Sequence, residues 1–238
     1  MGREFVVALG TVGILFASGT DATSQKSQPT HPAAQAALRY FEWVQDADVD
    51  AFLRQLRRPA PSSTVRAIII RNLPEEGELS PTAPEAAKLA VIRPILAFHE
   101  REHDMEHRLI TVGGLAFVGL HARTVLLISR EALALFNTDE LRAIVAHELG
   151  HDYMWDEYSE AREEGDNRRL QELELRCDGI AVITMSRMGV DSEHLVSAAS
   201  KLFRHNKRLG PPNEAQYVPL DQRVRFIRAL ARQTGYAR

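Results

Sequence analysis

Two stretches of this 238-residue chain spell the same five-residue pattern: His147-Glu148-Leu149-Gly150-His151 and His99-Glu100-Arg101-Glu102-His103 both read HExxH. On a helix, histidines four apart lie on one face, about one turn or ~6 Å apart along the axis. Both imidazoles can then converge on one tetrahedral zinc. Glu148 is rotated by ~100° from His147, so it approaches the open side of the metal without binding it. There it can take a proton from a water whose pKa the zinc lowers to ~7. The surroundings of the two stretches differ. Leu141, Ile144, Val145 and Leu149 give the later one an apolar stripe. Asn137, with Asp139 and Glu140 after it, gives that helix a start signal. Gly150 leaves room for another backbone to pass close. The earlier stretch has Arg101 and Glu102 between its histidines, with Asp104, Glu106 and Arg108 following. His99, His103 and His107 are therefore expected at the surface, outside any catalytic site.

A zinc site needs a third protein ligand. In the segment Leu170–Asp178, a helix with Leu173 facing inward also turns Leu170, Cys177, Ile180, Ala181 and Thr184 inward. Glu174 falls on the edge of that face and Asp178 lies one turn beyond it, while Glu172 points elsewhere. A carboxylate at the margin of a buried face is costly unless paired or metal-bound. Glu174 is therefore either the third ligand or a border carboxylate paired with Arg168 or Arg169; the HExxH upstream favours the ligand. Asp178 is the candidate acceptor for the second N–H of a ligating histidine. Cys177, on the same face, is expected as a small core residue.

These residues need elements to hold them. Helical spacing runs through Ala33–Arg58, Ala86–His107, Thr138–Asp152, Arg169–Met188, Ser192–His205 and Leu220–Gln233. The β-branched run Val65–Ile70 reads as a strand, as do Leu109–Val118 and Val125–Ser129. Asp156–Arg169 reads as a solvated connection and Gly210–Pro219 as an exposed loop. Strands in the first half and helices in the second predict an α+β domain, mostly helical with a small sheet.

The single cysteine excludes an internal disulfide and any Cys-based zinc finger. A formal net charge of −3 carries no basic footprint for nucleic acid. Phe5–Ala17 is apolar but shorter than the ~20 residues that cross a bilayer. With Arg3 before it and small residues after, it reads as an export signal over residues 1–22. A polar leader over 23–32 and one domain over 33–238 follow. The expectation is a periplasmic or secreted protein with no integral membrane segment in its mature chain.

The block Val125–Leu133, then Asp139-Glu140-Leu141 and Ile144–His151, resembles the HtpX and CAAX-prenyl-protease type of zinc metallopeptidase, peptidase family M-48. The resemblance covers about residues 109–230. It implies a zincin-like, gluzincin fold with one Zn2+ held by His147, His151 and Glu174. It also implies Glu148 as catalytic base, Asp178 behind the ligands, and a protein or peptide substrate paired along a cleft strand. Pro219–Val224 resembles the family's late Pro-x-x-x-Arg segment, which places a polar side chain over the cleft; here that is Tyr217. Its phenol is either an oxyanion donor, a lid, or packing against the last helix. Leu115 stands where the family commonly shows Asn before Ala116-Phe117, which bears on substrate selection. The short interval from Asp152 to Leu173 is also similar to the ImmA/IrrE-type regulatory peptidases. The implied function is a zinc endopeptidase, with envelope protein quality control as the family-level setting. The alternatives are a regulatory peptidase of that second type and a non-catalytic, metal-bearing binding or chaperone-like protein.

Overall fold

The computed structural model describes residues 29–42, 44, 49–73, 79–208 and 218–234. Five helices come first: α1 (Pro32–Tyr40), α2 (Val49–Leu56), α3 (Ser63–Arg71), α4 (Ala83–Ala90) and α5 (Arg93–Phe98). Three strands follow, β1 (Glu106–Ile110), β2 (Val118–His121) and β3 (Val125–Ser129). Then come α6 (Arg130–Leu135), α7 (Thr138–Tyr153), α8 (Trp155–Glu164), α9 (Asn167–Arg187), α10 (Glu193–Lys207) and α11 (Leu220–Gln233). The result is α+β and mostly helical, with one three-stranded sheet, as the sequence predicts. The expected segregation of strands before helices does not hold, because five helices precede the sheet. No helix among the described residues is long and apolar enough to cross a membrane. The export signal lies outside the described residues.

The sheet order is β1-β3-β2, with β1 parallel and β2 antiparallel to the central β3. All five residues of β3 are buried, as expected of a strand covered on both faces. The turn Ala122-Arg123 joins β2 to β3, and the Thr124 N–H donates to the His121 carbonyl at 3.0 Å. Both central residues are left-handed, with φ of 47° and 59°. Two left-handed central residues make this β-turn type I′, a form that residues other than Asn and Gly adopt at a cost of about 1–2 kcal/mol each.

Helix α7 is the centre of the helical layer. Asn137 caps it, accepting from the N–H groups of Asp139 and Glu140, while the Glu140 carboxylate accepts from the Asn137 N–H. The capping box read from the sequence is therefore present. Glu140 is buried because Ser197 and Lys201 of α10 donate to its carboxylate. Gly150 permits the close crossing of α7 and α9: a Cβ at this position would lie 2.8 Å from the Cys177 Cα. The predicted inner face of α9, from Leu170 through Thr184, is buried.

Four expectations about elements are corrected. Val65–Ile70 lies within helix α3, not in a strand. Ser62 accepts from the Val65 N–H to start it, and Ile69 and Ile70 pack on the sheet cluster of Phe117, Val125 and Leu127. Side-chain capping and tertiary packing override β-branched propensity here. Ala33–Arg58 is divided between α1 and α2. Leu109–Val118 is not one strand, since β1 ends at Ile110 and β2 starts at Val118, with Gly113-Gly114 between them. Most of the supposed connection Asp156–Arg169 is helix α8, closed by left-handed Gly165.

The early HExxH is not helical. Helix α5 ends at Phe98; Glu100 is left-handed, the Glu100 N–H donates to the Ala97 carbonyl, and the Arg101 N–H donates to the Leu96 carbonyl. This is a Schellman stop, built here without glycine. The expected helical stretch Ala86–His107 breaks at this point, and His107 enters β1, half-buried. His103 is exposed as expected, but His99 is only 1% exposed, which corrects its surface assignment. Its Nδ1 shares a hydrogen bond with the Tyr153 hydroxyl at 2.7 Å, and its Nε2 one with the Thr184 hydroxyl at 3.1 Å. Two fixed hydroxyl partners make the burial of an imidazole affordable.

Candidate metal centre

The crossing of α7 on α9 brings His147, His151 and Glu174 together. One candidate ligand atom from each lies within 4.8 Å of the others. The two imidazoles meet edge to face with centroids 5.2 Å apart. Glu174 Oε2 is 3.6 Å from His147 Nε2, and Glu174 Oε1 is 3.8 Å from His151 Nε2. These separations exceed hydrogen-bond length. His147 Nε2 and Glu174 Oε2 are buried with no hydrogen-bond partner among the described residues. Buried polar atoms are ordinarily paired, so orphans converging on one point fit a cation. Two imidazoles and a carboxylate are a donor set that zinc accepts, and three protein ligands leave a coordination position open.

Behind these candidate ligands, Asp178 lies against His147. Its Oδ1 lies 2.9 Å from His147 Nδ1; with a proton held on Nδ1 by this carboxylate, the neutral imidazole presents its Nε2 lone pair to the site. Arg223 of α11 donates to both oxygens of Asp178, so this fully buried carboxylate is held from its far side. His151 Nδ1 meets the Cys177 sulfur at 3.5 Å. Cys177 is fully buried, and burial pushes its thiol well above the usual range, so it is an inert wall of the site as expected. The alternative pairing of Glu174 with arginine does not occur: Arg169 pairs with Glu160 and Glu164, and Arg168 is exposed.

Tyr158 of α8 was not legible as a site residue. Its hydroxyl donates to Glu174 Oε1 at 3.1 Å, and its ring stands edge-on to His151 at 5.1 Å. The segment's charge hid it, because α8 looked like a solvated link. Arg223 was visible only as part of the resembling Pro-x-x-x-Arg segment. Tyr217 lies outside the described residues.

Glu148 is 2% exposed, and its Oε1 has no hydrogen-bond partner among the described residues. Its Oε2 is 4.0 Å from His151 Nε2. Burial pushes its carboxyl up to about 8; the neighbouring Glu174 charge adds to this, while His147 and the Leu120 backbone N–H oppose it. The other groups divide by their surroundings in the metal-free site. Burial opposes a charge on His147, but the carboxylates of Asp178 and Glu174 outweigh it and raise the imidazole to about 9. Burial prevails at His151 and lowers it to about 4. Burial is outweighed again at Glu174, where the two imidazoles hold the carboxyl at about 2. A carboxylate anion thus faces two imidazoles, the electrostatic arrangement a divalent cation replaces. No known family model matches this chain, and neither does any curated protein.

Proposed function

We propose that the chain is a zinc-dependent endopeptidase of the gluzincin kind, similar to the HtpX and CAAX-prenyl-protease type. One observation carries this reading: His147, His151 and Glu174 converge, with His147 Nε2 and Glu174 Oε2 buried and unpartnered among the described residues, while Glu148, beside them, is buried and not part of the ligand set. A structural metal site needs no such base, which favours the enzyme over a non-catalytic binding protein.

His147, His151 and Glu174 would hold a zinc ion, which would supply Lewis acidity toward a water and the scissile carbonyl. Glu148 takes the proton of the attacking water at a carboxylate oxygen and delivers it to the leaving amine. Asp178 and Arg223 keep His147 oriented, and Tyr158 keeps Glu174 oriented. Strand β2 is an edge strand packed against α7, and no other strand pairs with its outer side among the described residues. An extended substrate pairs there by backbone hydrogen bonds, next to Glu148. The apolar run Phe5–Ala17 supports export, so the substrates are proteins of the periplasm or exterior.

The test is casein digestion by purified protein stripped with a chelator and then reloaded with zinc. Cleavage should vanish on stripping and return with one zinc per chain. Cleavage that persists without metal would overturn the reading.

A further inference from the structure

We propose that Asp152, Arg123 and Arg101 form a positioning clamp that fixes edge strand β2 against the catalytic face of α7; its consequence for substrate rests on the peptidase reading above. Glu148 and Asp152 are four residues apart on α7 and so share a face. That face meets the β2–β3 hairpin. Along its length, strand β2 packs against α7. At the tip, Arg123 Nε donates to Asp152 Oδ1 at 2.7 Å. Arg101 donates to the other oxygen, Oδ2, so each carboxylate oxygen has its own guanidinium. The Arg123 Nη2 also donates to the Pro59 carbonyl at 3.0 Å, tying in the loop after α2.

The three side chains are scarcely accessible: Asp152 is 1% exposed, Arg101 4% and Arg123 15%. Charge-assisted hydrogen bonds at such depth are little screened by solvent. The turn that carries Arg123 is left-handed at two consecutive non-glycine residues. A hairpin needing closure alone is best served by Asn or Gly there. Arg123 forgoes that ease and supplies the guanidinium that reaches α7. Asp152 touches no candidate ligand atom, so the clamp acts on where the strand lies and not on the metal. A peptide paired on β2 takes its height above Glu148 from the strand, and a displacement of about 1 Å costs ~10²-fold in rate.

The test compares Arg123→Gly with Ala122→Gly. Each relieves left-handed strain, which in Arg123→Gly offsets part of the lost pairing with Asp152; only the first removes the clamp. Amide exchange at Val118–His121 should speed up about tenfold in Arg123→Gly, the scale of one hydrogen bond to a charged group. Ala122→Gly should exchange as slowly as the wild type or more slowly, and zinc titration should give the same stoichiometry for all three. With casein, Arg123→Gly should show a raised KM and a lowered kcat at full zinc occupancy. Wild-type exchange in Arg123→Gly would overturn the clamp. A zinc-loaded wild type that cleaves nothing would instead overturn the peptidase reading, and the exchange result would still decide the clamp.

Discussion

The two HExxH stretches have the same letters and opposite fates. His147 and His151 sit inside the 16-residue helix α7, so the four-residue spacing becomes a shared face. His99 and His103 lie past the end of α5, on either side of left-handed Glu100, so the same spacing sends one ring into the core and leaves the other exposed. His99 is occupied by Tyr153 and Thr184, and neither ring nitrogen is left for a metal. The pattern has chemical meaning only where one helix runs through both histidines. Left-handed Glu100 is what denies that to the early copy.

The largest effect that separates the copies is metal binding. Glu174→Ala should weaken zinc binding by more than ~100-fold, beyond the 10–100-fold range for losing an outer hydrogen-bond partner. His103→Ala should leave the zinc stoichiometry and affinity unchanged. Equal zinc binding by Glu174→Ala and the wild type would dissolve the distinction between the stretches.

Next comes the structural role of His99. His99→Ala leaves a cavity and two unsatisfied hydroxyls, and should cost about 3 kcal/mol at pH 7 by urea denaturation. Burial lowers the His99 imidazole from 6.5 to about 3, with the Arg101 and Arg57 charges acting in the same direction. The unfolded chain therefore binds more protons between those values, and stability falls as pH drops below 6.5. At pH 5 the wild type loses about 2 kcal/mol through this group, so its advantage over His99→Ala should narrow by that amount. A pH-independent gap would mean that His99 is charged in the fold. His103→Ala, at an exposed turn, is the smallest change, within about ±0.5 kcal/mol at either pH.

The sequence made the later site legible because its cues are local. Asn137 and Glu140 start α7, the apolar spacing on α9 orients Glu174 and Asp178, and Gly150 marks where the two helices touch. What it hid depends on partners distant in the chain. Nothing near Val65–Ile70 announces that a serine cap and the far face of the sheet will make it helical. Nothing beside His99 announces Thr184, 85 residues away. The Schellman stop at Glu100 and the turn at Ala122-Arg123 escape notice because both use residues other than glycine in left-handed backbone. Nothing local announces that Arg101 and Arg123 pair with Asp152, 51 and 29 residues away.

The most direct test of the central claim pairs zinc analysis with casein digestion on the wild type and Glu148→Gln. Glu148 is assigned to proton transfer and not to metal binding, so the variant should keep one zinc per chain. Its cleavage rate should fall by ~10²–10⁴-fold. Undiminished cleavage at full zinc occupancy would show that the hydrolytic base lies elsewhere, and would contradict the account.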